Sequence, residues 1–117
     1  MEIKITERTV VTRIAGWMNR VVKEGNLPFE FVDSELIIDN EKYPDLVIWK
    51  RKNIEIACVI EFKPPNWSVY DGKLIDDAGV KAWKTGANYF GTWNTNRLVL
   101  WNTFEKDKPL HERRTAY

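Results

Sequence analysis

The run Ile54-Glu55-Ile56-Ala57-Cys58-Val59-Ile60-Glu61-Phe62-Lys63 decides the fold. Ile54, Ile56, Cys58, Ile60 and Phe62 fall on one face of an extended chain, and Glu55, Ala57, Val59, Glu61 and Lys63 on the other. An all-apolar face must be buried, most simply under a helix. Upstream, Asp45 to Trp49 reads as a strand and Lys50-Arg51-Lys52-Asn53 as a polar turn, which together make a hairpin with this run. Downstream, Pro64-Pro65 ends the strand, because neither residue can donate a ladder hydrogen bond. A loop through Asn66-Trp67 leads to a helix from about Lys73 to Thr85. Asp71 is its cap, and Gly86 is its stop. Gly79 inside that helix costs roughly 1 kcal/mol against alanine, and a close approach to a sheet would explain it. Tyr89 to Trp93 and Arg97 to Trp101 are strands joined by an Asn94-Thr95-Asn96 turn. A strand, a crossover helix and a strand imply a parallel pair with a right-handed connection.

Toward the N-terminus, Val10, Ile14, Trp17 or Met18, and Val21 recur at helical spacing from Glu7 to Lys23, with Val11, Ala15 and Val22 widening the stripe. Thr6 is the expected N-cap, and Arg8, Thr12, Arg13 and Asn19 form the polar side. Phe29 to Val32 is a short extended run, and Leu36-Ile37-Ile38 continues or pairs with it. The order is αβββαββ: an α/β domain over residues 1–101, with a mixed sheet flanked by helices. Residues 102–117 read as a polar tail or linker.

The 117 residues suffice for one core, and 44% apolar content argues against disorder. No run approaches the ~18 apolar residues of a membrane span. The lone Cys58 excludes an internal disulfide and a multi-cysteine zinc cluster, which points to a reducing, cytoplasmic setting. A histidine-based nucleophilic pair would have to be built around the single His111. With 18 basic and 17 acidic residues the net charge is +1, so binding nucleic acid by bulk charge is excluded and any such role needs a local site. The six tryptophans are expected to fill a small core and its edges.

Local chemistry concentrates at one end of the hairpin. Pairing Trp49 with Glu55 sets Asp45 against Val59, with Glu61 its diagonal neighbour on the same face, ~7–8 Å away between backbones. Two carboxylates at that separation can close on a hard divalent cation such as Mg²⁺ or Mn²⁺, whereas a one-residue slip would send them to opposite faces. Two structural readings compete with function here. Glu61 and Lys63 alone would make an ordinary surface ion pair, and Asp76-Asp77 has a sufficient explanation in the dipole of the second helix. Lys50-Arg51-Lys52, at the far end of the hairpin, reads as a solubilising turn.

Pro44-Asp45 followed by Glu61-Phe62-Lys63 on the next strand resembles the PD-(D/E)XK motif of the restriction-endonuclease-like nucleases. The runs Gly86 to Phe90, Trp93-Asn94 and Arg97 to Trp101 are similar to the end of the N-terminal nuclease domain of type I restriction subunits. The resemblance covers about Glu7 to Trp101 and implies a Mg²⁺-dependent endonuclease acting on DNA, with Mn²⁺ as substitute. It implies that Asp45 and Glu61 bind the metal, that the Phe62 carbonyl adds a ligand, and that Lys63 orients the attacking water. A further glutamate on the first helix is Glu7, with Glu24 the fallback. Where related domains carry a glutamine on the second helix, this chain has Lys81, which either takes that place or is solvated. A homodimer or additional domains of a larger protein would supply phosphate contacts that a near-neutral chain lacks. The alternative is a catalytically inactive member of the same fold, acting as a nucleic-acid-binding or assembly module.

Overall fold

A computed structural model describes residues 7–34, 44–52, 54–105 and 107–116, with the side chains of 7–10 and 115–116 outside that description. Thr6 and Leu36 to Ile38 also lie outside the described residues. The elements are α1 (Glu7–Glu24), β1 (Phe31–Ser34), β2 (Leu46–Arg51), β3 (Glu55–Phe62), α2 (Gly72–Thr85), β4 (Tyr89–Trp93), β5 (Leu98–Asn102), a 3₁₀ turn (Leu110–Glu112) and β6 (Arg114–Ala116). They form an α/β architecture in which one mixed sheet runs β1-β2-β3-β4-β5-β6. Only β3 and β4 are parallel, and α2 is the crossover between them, as the strand–helix–strand reading requires.

The sheet buries both faces. On one, Val47, Val59, Phe90, Val99 and Trp101 pack under Ile75, Ala78 and Ala82 of α2. On the other, Leu46, Cys58, Ile60 and Phe62 pack under Val11, Ala15 and Val22 of α1. The fully buried residues of α1 are those expected to widen the stripe; of the main stripe, Ile14 and Met18 pack against this cluster partly buried, while Trp17 and Val21 are exposed. Asn19, read as part of the polar side, has a structural task. It donates to the Val32 carbonyl at 2.7 Å and accepts from the Val32 N–H at 2.6 Å, satisfying the outer edge of β1.

The strict alternation of β3 is broken at one point. Ile48 pairs with Cys58 but Trp49 pairs with Ile56, so Ala57 is an extra residue in the ladder. Ile56 consequently joins Trp49 on the α2 face instead of sharing the face of Cys58 and Ile60, and Ile54 is exposed. Burial pushes the Cys58 thiol up to about 12, which leaves it un-ionised and inert near neutral pH.

Helix α2 starts and stops as its local signals dictate. Asp71 accepts from the Leu74 N–H at 3.0 Å, and Gly86 closes the helix at φ 74° with the Ala87 N–H on the Ala82 carbonyl. Gly79 is explained by a close approach, though not to the sheet: a Cβ there would meet Leu110 of the 3₁₀ turn at 2.8 Å. The segment read as a polar tail thus folds back on the domain. His111 reaches Asp76 at 2.8 Å, and β6 adds a strand beside β5. Because α2 begins at Gly72, Asp76 lies beyond its first turn and meets His111 rather than serving the helix dipole.

The expectation that the six tryptophans fill the core and its edges holds for Trp49 and Trp101 in the core and Trp93 at its margin, whereas Trp17, Trp67 and Trp83 are exposed. Among the described residues, no helix is long and apolar enough to cross a membrane.

Candidate functional site

The hairpin register is Leu46 with Ile60 and Val47 with Val59, two residues away from the expected pairing of Asp45 with Val59. A shift of two preserves the face. Continued by one residue, the register sets Asp45 opposite Glu61, closer than the diagonal arrangement expected from the sequence. The Asp45 carboxylate turns inward, and its Oδ2 accepts the Phe62 N–H at 2.7 Å. The β2–β3 ladder ends at Leu46 and Ile60, and beyond it the Phe62 N–H is taken by the Asp45 side chain and not by a strand carbonyl.

Glu61 lies on the α2 face, level with Thr92 of β4, and only 6% of it is exposed. Its Oε1 accepts from Lys81 Nζ at 2.6 Å. Lys81 is thus not solvated: it crosses from α2 to hold the carboxylate. Burial is the main cause that raises the Glu61 carboxyl from 4.5 to about 7, and the Asp45 charge pushes the same way. The Lys81 hydrogen bond and the charges of Lys81 and Lys63 act against that rise. Burial and the nearby Asp45 anion therefore outweigh two ammonium groups.

Lys63 continues β3 and donates its N–H to the Trp93 carbonyl at 2.8 Å. Its ammonium sits 5.2 Å from the centre of the Trp67 ring. Trp67 belongs to the loop Pro64–Asp71, which is pinned to β4. Asn94 Nδ2 donates to the Trp67 carbonyl at 2.6 Å, and Thr92 Oγ1 donates to the Val69 carbonyl at 2.8 Å.

Asp45, Glu61, Phe62 and Lys63 are therefore brought together at one end of the β2–β3 hairpin. The side chain of Glu7 lies outside the described residues. Glu24 is exposed at the end of α1, on the helix that covers the opposite face from Glu61, and does not join the group. Lys50 and Arg51 pair with Glu55, and Lys52 lies 4.0 Å from the centre of the Phe31 ring, so the basic turn is answered locally. The Glu61–Lys81 pair is the contact that the sequence hid, since its partners stand on different elements.

Two adjacent carboxylates, with the Asp45 charge opposing the ionisation of Glu61, and the Phe62 carbonyl beside them are an oxygen donor set suited to a hard cation. Among the described residues, no group of three or more histidine, cysteine or acidic side chains gathers around a metal position. A ligand set of two carboxylates and one carbonyl suits Mg²⁺, which usually keeps several waters. The chain matches no protein-family model and no curated protein.

Proposed function

We propose that the chain is a Mg²⁺-dependent endonuclease of the PD-(D/E)XK, restriction-endonuclease-like kind, hydrolysing phosphodiester bonds in DNA. The observation that carries this reading is the convergence of Asp45 and Glu61 on one face, with Lys63 two residues beyond and the Phe62 carbonyl between. Asp45, Glu61 and the Phe62 carbonyl would hold the cation. When bound, it supplies Lewis acidity toward a phosphoryl oxygen and acidifies water. The Phe62 N–H fixes the Asp45 carboxylate, and Lys81 fixes that of Glu61, so both donors are oriented before substrate arrives. Lys63 counters the charge that develops on the phosphorane and orients the attacking water.

The Glu61–Lys81 bond favours a second reading, a catalytically inactive member of the same fold, because it satisfies the carboxylate without a cation. Plasmid, single-stranded and branched DNA incubated with Mg²⁺ or Mn²⁺ separate the two. The nuclease gives cleavage that Asp45→Ala, Glu61→Ala and Lys63→Ala each reduce by ~100-fold or more. Cleavage surviving all three substitutions contradicts the nuclease reading. DNA binding without cleavage by the unaltered chain supports the inactive module.

A further inference from the structure

A second cluster of cations lies on the same face of the sheet as Glu61. The Asn94–Arg97 turn is held by Asn94 Oδ1, which accepts the N–H groups of Asn96 and Arg97 at 3.1 and 2.9 Å. It sets the Arg97 guanidinium 6.0 Å from the centre of the Tyr70 ring. From β6, Arg114 donates to the Tyr70 hydroxyl at 3.3 Å. Tyr70, Asn96, Arg97, Leu98 and Arg114 line an open cleft of about 500 Å³. The Arg97 guanidinium beside the Tyr70 ring is a planar donor fork suited to an anion entering this cleft. The hydrogen bonds of the two arginines, that of Arg114 first, pull the Tyr70 phenol below its ordinary value. Among the described residues, no carboxylate pairs with Arg97.

The cleft lies across the sheet from the candidate site. Phe62 pairs with Trp93, and Trp93 with Leu98, so the two places are two strand spacings apart, ~10 Å. The loop Pro64–Asp71 lies between them and presents Trp67 and Tyr70, each 39% exposed. Lys63 stands by the first ring, Arg97 and Arg114 by the second. A strip of cations alternating with exposed rings suits an unpaired strand, whose bases stack while its phosphates pair.

We propose that Arg97 and Arg114 grip a backbone phosphate of single-stranded DNA roughly 10 Å from the position held at Asp45 and Glu61, with Trp67 and Tyr70 carrying the intervening bases. The strand's direction toward Asp45 and Glu61 rests on the nuclease reading, but the binding itself is measured without hydrolysis. Labelled oligothymidylate is titrated with the whole chain in EDTA over a series of salt concentrations. Replacing both arginines by alanine lowers the affinity at least ~10-fold and flattens the log–log salt slope by ~0.7, the value for one phosphate contact on a single strand. Arg97→Ala alone, in an exposed turn, gives about half of that change in slope and serves if the double variant folds poorly.

Unchanged affinity and slope in Arg97→Ala overturn the proposal. So does an oligonucleotide held no more tightly than inorganic phosphate, or a duplex of equal length bound more tightly through the same arginines. Arginine-dependent binding by a chain that cleaves nothing with Mg²⁺ supports the cleft and removes the nuclease. Cleavage with arginine-independent binding removes only the cleft.

Discussion

The two faces of the sheet are built from the same strands and used differently. The buried residues of the α1 face are uniformly apolar, from Val11 through Leu46 and Ile60 to Phe62. The α2 face buries as much apolar material, yet admits Glu61 and Thr92 into the same layer. Each of these polar groups has a partner: Lys81 for Glu61, and the Val69 carbonyl together with the Trp101 indole for Thr92. Burying a carboxylate is costly unless it is paired, so its retention in a layer that Val59 and Phe90 could fill is a reason to look for chemistry there. The apolar face is a platform, and the mixed face carries the site.

Stability measurements sharpen that contrast. Leu46→Ala, on the platform, is expected to cost about 3 kcal/mol in denaturant unfolding, within the ~2–5 kcal/mol range for a buried leucine. On the mixed face the comparable effect comes from pH. Below the ordinary value of 4.5, Glu61 is protonated in both folded and unfolded chains, and its contribution to stability is complete. Between 4.5 and about 7 the unfolded chain releases its proton first, so stability falls as pH rises and levels off above about 7. That loss is on the order of 3 kcal/mol. Urea unfolding from about pH 4 to about pH 8 should show it in the natural chain and not in Glu61→Gln. A slope that persists in the glutamine variant would break the assignment.

Smaller effects belong to the edges. Asn19→Ala strips two hydrogen bonds from Val32 and should cost about 2 kcal/mol by thermal or urea unfolding. Glu55→Ala removes the exposed pairs with Lys50 and Arg51 and should change stability by less than about 1 kcal/mol. If Glu55→Ala cost more than Asn19→Ala, the basic turn would be a structural element and not a solvated end.

The elements with local signals were legible in the sequence. Helix α2 follows from an aspartate cap, a helical period and a glycine stop, and β4 matches the expected Tyr89 to Trp93. The grouping of Asp45 with Glu61 was also legible, because it depended on parity and not on the pairing itself. The register was not, since nothing within Lys50-Arg51-Lys52-Asn53 specifies how a polar turn closes or where an extra residue enters the ladder. Strand β6 is three residues long, too short to carry a period, and acquires its partner only once β5 exists. Lys81 meeting Glu61 is tertiary: they stand 20 residues apart on different elements, and a helix pattern shows a lysine's face but not what that face meets. The cleft beside Tyr70 escaped for the same reason, as Tyr70, Arg97 and Arg114 come from three separate segments.

The central claim is that Asp45 and Glu61 share one divalent cation. Calorimetric titration of the whole chain with Mn²⁺ near pH 7, repeated in buffers of different ionisation enthalpy, tests it most directly. A single ion should bind per chain and release a proton as Glu61 ionises, and Asp45→Ala should abolish both signals. Binding that is absent in the natural chain, or that persists undiminished in Asp45→Ala, would contradict the account.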